Sequence, residues 1–156
     1  MIFGIKRCIW LHDGGMHRDR WRFILIMEIE DIFKDVCKVI EDSIGTPADT
    51  IKLEATLFDE LGVDSIDLVD ILFELETLYE MELKISDIEQ RAKMELGDKP
   101  YEIEGVLTKD GIEAVAQYMT EIDESKLKEG ITVHELVKLF SVHSLCKIIK
   151  FKMEEK

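Results

Sequence analysis

The stretch Leu61-Gly62-Val63-Asp64-Ser65-Ile66-Asp67-Leu68-Val69-Asp70 runs from a glycine turn straight into an acidic amphipathic helix, with one serine at the junction. Asp64 has the short carboxylate of an N-cap residue. That places Ser65 in the first helical turn, where backbone N–H groups lack partners within the helix. A phosphate esterified to Ser65 would lie at the positive end of the helix dipole, an environment worth about 0.3–1 kcal/mol to an anion. The local physics favours a covalently attached phosphodiester at Ser65.

Projected at about 100° per residue, the helix from Ser65 to about Tyr79 gathers Leu68, Ile71, Leu72, Leu75, Leu78 and Tyr79 on one side, the predicted core face. Asp67, Asp70 and Glu74 line the other side, interrupted by Ile66 and Phe73, seven residues apart and nearly superposed. An apolar pair bordered by carboxylates reads as a docking surface, with hydrophobic contact for affinity and charge for steering. The competing expectation is that the extra segment between the third and last helices covers Ile66 or Phe73.

Upstream, Ile29, Ile32, Phe33, Val36, Val39, Ile40 and Ile44 recur at helical spacing and predict a first helix over about 28–44, ending near Gly45. Thr46-Pro47-Ala48-Asp49 joins a cap, a proline suited to a first helical position and an early acid, so a short helical turn is expected there. Leu53, Leu57, Phe58 and Leu61 would pin the loop that follows. Downstream, Ser86-Asp87-Ile88-Glu89 has capping-box spacing and predicts a third helix over about 87–94. Asp98 to Gly105 reads as a loop or short extended piece, and Thr108 caps a helix carrying Ile112, Val115 and Met119. Thr132-Val133-His134-Glu135 is another capping box, ahead of Leu136, Leu139 and Phe140. The last helix is expected over about 141–154, with Leu145, Ile148 and Ile149 inward. Lys147, Lys150, Lys152 and Lys156 crowd its C-terminal half, where positive charge suits the dipole.

Leu61-Gly62 followed by Asp64-Ser65-Ile66-Asp67-Leu68-Val69-Asp70-Ile71 resembles the signature of the acyl carrier proteins: a leucine-glycine pair, one variable residue, Asp-Ser-Leu-Asp and a continuing hydrophobic helix. The resemblance runs from Glu28 to about Glu89, resumes at Phe140 and fails between them. It implies an all-α fold, a four-helix bundle with an additional helical insert at about 95–139 between the third and last helices. The apolar residues of the insert are expected to pack on the second and third helices. An insert of this kind resembles the extra segment of certain extended, specialised acyl carriers.

The same resemblance implies that Ser65, with Asp64 beside it, carries 4'-phosphopantetheine donated from coenzyme A by a phosphopantetheinyl transferase. The arm's terminal thiol would hold acyl groups as thioesters, so none of the chain's cysteines would be the working thiol. It implies a carrier and not an enzyme, serving fatty acid, polyketide or related specialised lipid biosynthesis. Ile66, Asp67, Asp70, Phe73 and Glu74 would dock a ketosynthase and an acyltransferase or acyl ligase bearing basic patches. Ile71, Leu72, Leu75, Ile85 and Ile88 would form an acyl pocket, although periodicity alone assigns them to ordinary core. Ile66 in place of leucine matches the Asp-Ser-Ile of peptidyl carriers, so a peptidyl or D-alanyl carrier with the same arm stands as an alternative. So does an unmodified acidic helical adaptor. Asp67 and the acids after it favour the acyl type.

With 156 residues, 46% of them hydrophobic, the chain fits one domain with a compact core. A net charge of −14 argues against nucleic acid and anionic membranes as partners. Residues 1–26 hold Lys6, Arg7, Arg18, Arg20 and Arg22 against Asp13 and Asp19, a local balance of +3 within an otherwise acidic chain. Without periodicity and with Gly14-Gly15, this basic leader is expected to be a disordered tail or a non-native start, and the carrier domain to span 27–156. Its apolar run from Phe23 to Met27 is too short for a secretory segment, and no stretch reaches transmembrane length, so a cytoplasmic, monomeric protein is expected. Cys8, Cys37 and Cys146 have no paired spacing, which argues against a disulfide framework. Cys8 with His12 and His17 makes only a partial ligand set, and Asp59, Glu60, Asp64, Asp67 and Asp70 lack calcium-loop spacing, so no metal is expected. His134 and His143 stand near helix starts with no nucleophile and base pairing beside them, which points to surface or capping roles.

Overall fold

The computed structural model describes residues 28–155, so the expectations for residues 1–26, including the Cys8, His12 and His17 group, lie outside the described residues, as does Lys156. Helix α1 (Ile29–Ile44) turns Ile32, Val36, Cys37, Val39 and Ile40 inward and stops at Gly45, whose φ of 77° is left-handed. A 3-10 turn at Ala48–Thr50 follows Pro47, with Thr50 N–H donating to Pro47 O at 3.0 Å. Helix α2 (Ser65–Tyr79) buries Leu68, Ile71 and Leu75, and α3 (Ser86–Leu96) buries Ile88 and Ala92. The last helix, α6 (Val142–Glu155), is the most deeply buried, presenting Leu145, Ile148, Ile149 and Met153 to the core. Helix α1 lies against both α2 and α6. The expected bundle is present at the expected places.

Between α3 and α6 the insert is ordered. Strands β1 (Glu102–Ile103) and β2 (Val106–Leu107) form a hairpin, followed by α4 (Lys109–Tyr118), a 3-10 turn at Glu124–Lys126 and α5 (Val133–Lys138). The Glu104-Gly105 turn takes φ of 52° and 83°, the sense of turn that matches strand twist. Thr108 caps α4 by accepting from Gly111 N–H at 3.0 Å. Thr132 and Glu135 form the reciprocal capping box at α5, at 2.9 and 3.1 Å. Val115, Met119, Leu136 and Phe140 are buried, and Ile112 and Leu139 are half-buried.

Three expectations change. Ser86 is not a cap: α3 begins at Ser86 after Ile85, and Asp87 supplies the turn instead, its carboxylate accepting from Lys84 N–H at 2.8 Å. Leu78 is 47% exposed, because it borders an open groove between α1 and α2 and does not enter the core. The insert packs on α3, as expected, but its second support is α6 and not α2. The reason is electrostatic. The open side of α2 is acidic and so is the insert, whereas α6 offers Lys147, which pairs with the buried Glu121 at 2.7 Å and donates to Tyr118 O at 2.9 Å and Thr120 Oγ1 at 2.7 Å.

Gly111 shows how closely the insert is fitted, since a Cβ there would lie 2.2 Å from the carbonyl oxygen of Tyr101. Alanine would gain about 1 kcal/mol of helix propensity, but overpacking costs typically about 1–3 kcal/mol, and a backbone oxygen cannot swing aside. Gly111→Ala should therefore lower stability by about 1–3 kcal/mol in urea unfolding; a stabilised variant would show that the hairpin and α4 are not in this contact.

Candidate functional site

The turn ahead of α2 is held before the helix begins. Leu57 and Val63 are buried, Val63 N–H donates to Leu57 O at 2.9 Å, and Leu57 N–H donates to Phe140 O at 3.0 Å. Glu60 accepts from Thr56 N–H at 2.6 Å, and Thr56 Oγ1 accepts from Glu60 N–H at 3.2 Å. Gly62 then reverses the chain at φ 72°. Asp64 caps α2 as expected, accepting from Asp67 N–H at 2.8 Å, while Asp67 accepts from Asp64 N–H at 3.1 Å. This reciprocal box was missed in the sequence because its return member is aspartate and not the usual glutamate or glutamine. Asp67, expected only as a docking charge, is half-buried and holds the cap as well.

Ser65 is the first residue of α2 and is exposed. Its hydroxyl stands on a fixed turn at the positive end of a helix, and these surroundings fit a covalently attached phosphodiester. Below it Ile66 is 80% exposed and Phe73 62%, so among the described residues the insert does not cover them. Val69, 68% exposed, completes the stripe at i, i+3, i+7. Its position three residues after Ile66 was the available signal. Asp70 and Glu74 are exposed beside the stripe, Asp70 accepting from Ser43 Oγ on α1 at 3.2 Å. Glu74 also borders the groove of about 310 Å³ between α1 and α2, whose apolar lining is Val39 and Leu78.

Of the expected pocket residues, Ile71, Leu75 and Ile88 are fully buried and Leu72 and Ile85 half-buried, all within one hydrophobic cluster. Tyr79 OH donates to Asp35 Oδ2 at 2.7 Å, tying α2 to α1. Burial and the Asp35 carboxylate push this phenol well above its usual range, so it stays a donor. Burial raises the free thiols of Cys37 to about 11 and Cys146 to about 12, which keeps both protonated and unreactive near neutral pH. His143 is half-buried, its imidazole pushed down by desolvation, and its backbone N–H donates to Leu53 O at 2.8 Å; His134 is exposed near the start of α5. Among the described residues no cluster of acids, histidines and cysteines is placed to hold a metal ion, and no helix is long and apolar enough to cross a membrane.

Residues 34–93 match the family described as a phosphopantetheine attachment site. An acyl carrier protein of Campylobacter lari is 36% identical over 64 residues, 41% of this chain and 83% of that protein. One from Campylobacter jejuni subsp. doylei is 36% identical over 63 residues, 40% of this chain and 82% of its own. A methylphloroacetophenone synthase of Cladonia uncialis is 39% identical over 59 residues, 38% of this chain and 2% of that protein. No solved structure matches the chain significantly. Ser65 at its capped helix start falls within the matched residues 34–93. The chain belongs to the acyl carrier protein family, whose members carry 4'-phosphopantetheine and work with phosphopantetheinyl transferases and synthase enzymes.

Because the Asp64 side chain holds the cap and the Ser65 hydroxyl does not, the two should respond differently to alanine. Asp64→Ala should cost about 1 kcal/mol in chemical denaturation, and Ser65→Ala close to nothing, since alanine is the best helix former. Equal losses would contradict the assignment of the cap.

Proposed function

We propose that Ser65 is the residue that carries the 4'-phosphopantetheine arm, and that α2 presents the acyl cargo to successive enzymes. The observation behind this is the exposed serine on a pinned, capped turn at the head of the Ile66, Val69 and Phe73 stripe. When bound, the arm supplies a thiol that holds acyl groups as thioesters. The chain's own part is to fix the turn, offer the hydroxyl, and shape the surface that partners grip. No catalysis by the chain itself is part of this reading.

Partners fall into two kinds: the transferase that loads the arm, and a ketosynthase with an acyltransferase or acyl ligase that uses it. The apolar stripe provides contact area and Asp70 and Glu74 provide steering toward basic patches. Ile71, Leu72, Leu75, Ile85 and Ile88 are the proposed surroundings for any cargo that enters the bundle, where each methylene removed from water is worth about 0.8 kcal/mol. The carrier domain is taken to span 27–156 and to act as a cytoplasmic monomer.

Mass spectrometry after coexpression with a phosphopantetheinyl transferase tests the assignment: the wild type should gain the phosphopantetheine mass and Ser65→Ala should gain none. Modification of the alanine variant would place the arm elsewhere. Charge reversal at Asp70→Lys and Glu74→Lys, with Asp67 left in place to hold the cap, should slow association with the transferase. Wild-type association should also fall as salt rises over the range where the Debye length drops from about 10 Å to about 3 Å. Kinetics unchanged by charge reversal and by salt would remove steering from the account.

A further inference from the structure

Helix α3 is held both by α6 and by the insert, whose Tyr118 and Tyr101 add contacts that an ordinary connection to α6 would not supply. The Arg91 guanidinium lies 4.5 Å from the ring centre of Phe151 on α6 and 5.6 Å from that of Tyr118 on α4. The two rings meet edge to face at 5.7 Å and 78°. Tyr118 OH donates to Glu95 Oε1 at 2.8 Å, one turn beyond Arg91 on the same helix. Lys152 on α6 pairs with Asp87 at 3.3 Å near the start of α3, and Lys93 lies 5.5 Å over the Tyr101 ring at the entry to the hairpin. Helix α4 in turn is fixed by the fit of Gly111 against Tyr101 and, just past its end, by the ion pair of Glu121 with Lys147.

The side of α3 that faces the core is filled. Ile71 and Leu75 of α2 and Ala92 of α3 are 0% exposed and Ile88 is 2% exposed. Close-packed interiors have no slack for several added methylenes, so a long acyl chain enters between α2 and α3 only if α3 moves outward. Outward is the direction that Arg91, Tyr118 and Phe151 oppose.

We infer that the insert clamps α3 against α6 through Arg91, Tyr118 and Phe151, and thereby restricts the protein to short or polar acyl groups carried outside the bundle core. This rests on the carrier reading and names the class of cargo for it. The three clamp residues are positioning residues: they touch neither arm nor cargo and act through the placement of α3.

The test uses the full chain and the double variant Arg91→Ala/Tyr118→Phe, each loaded with butanoyl- or octanoyl-phosphopantetheine from the corresponding coenzyme A thioester. Hydroxylamine cleavage reports whether the thioester is sheltered. In the wild type the two chains should be cleaved at rates within about twofold, while in the variant the octanoyl thioester should be cleaved at least about fivefold more slowly, as burial of the longer chain becomes possible. A wild type that already shelters octanoyl, or a variant that never does, overturns the inference. A general loss of stability would not produce this dependence on chain length.

Hydrogen exchange on the unmodified protein provides a second reading that does not need the arm. Amides from Ile88 to Leu96 should exchange at least about tenfold faster in the variant with those of α1 unchanged, and equal exchange overturns the clamp. If the double variant does not fold, Tyr118→Phe alone, which removes only the hydroxyl bond to Glu95, should still speed exchange along α3. Failure to load Ser65 at all counts against the carrier reading, and the exchange measurement then judges the clamp separately.

Discussion

The pairing of residues 53–57 with 140–143 holds together parts of the chain that are far apart in sequence. Leu57 N–H donates to Phe140 O, Val142 N–H to Ala55 O at 2.9 Å and His143 N–H to Leu53 O, and Thr56 and Ser141 form an antiparallel bridge. A connection as long as that from Gly45 to Asp64 is costly to order when left to itself. Here its second half borrows the unpaired amides at the start of α6, which need acceptors in any case. One set of bonds thus satisfies a helix terminus and fixes the turn that presents Ser65.

Ser141 also links this pairing to the insert. Its N–H donates to Ser144 Oγ at 3.0 Å, and Ser144 Oγ donates to Glu121 at 2.8 Å, whose other oxygen meets Lys147. Both charged side chains are largely buried, at 7% and 14% exposure. Removing one partner of such a pair typically costs about 3–5 kcal/mol because the other is left uncompensated. The network therefore makes the position of the insert specific. An apolar face on α4 alone would accept several neighbouring surfaces, whereas Glu121 meets the Lys147 cation and the Ser144 hydroxyl only here. This is why the insert leaves α2 free, and why the apolar stripe on α2 stays open despite about forty residues of extra chain.

The parts of this arrangement readable in the sequence are those governed by local rules. The span of α2, the caps at Asp64, Thr108 and Thr132, and the inward faces of α1 and α6 follow from side-chain periodicity and from single side chains meeting nearby amides. Ser86 shows the limit of such rules: its spacing suits a capping box, yet Asp87 reaches Lys84 N–H and takes the role. The hairpin around Glu104-Gly105 was legible only as an extended piece, because two-residue strands carry no period. It is stabilised by pairing with the segment before α5, where Val106 meets Thr132 and Leu107 N–H donates to Ile131 O at 2.9 Å. Leu78 looked like core by angle, but the helical projection cannot show where α1 ends its cover. Ser65 itself was legible because its surroundings are chemical and local. The partner surface of the insert was not, because it depends on a buried ion pair between residues 26 positions apart.

The contest at α3 explains how a few side chains can select cargo. Burying some six methylenes of an octanoyl chain would gain about 5 kcal/mol at roughly 0.8 kcal/mol each. Against it stand two cation–π contacts at about 0.5–2 kcal/mol each and a hydroxyl-to-carboxylate bond at about 1.5–3 kcal/mol. Displacing α3 adds the loss of packing among Ile71, Leu75 and Ile88, where each apolar side chain exposed forfeits about 1.5–3 kcal/mol. The terms opposing entry together match or exceed the gain for a chain of this length, and for a butanoyl group the gain is far smaller. A bundle without the insert would lose the Arg91–Tyr118 contact and the Tyr118 bond to Glu95 while keeping Arg91 against Phe151 and the packing term, so the same chain would meet less opposition.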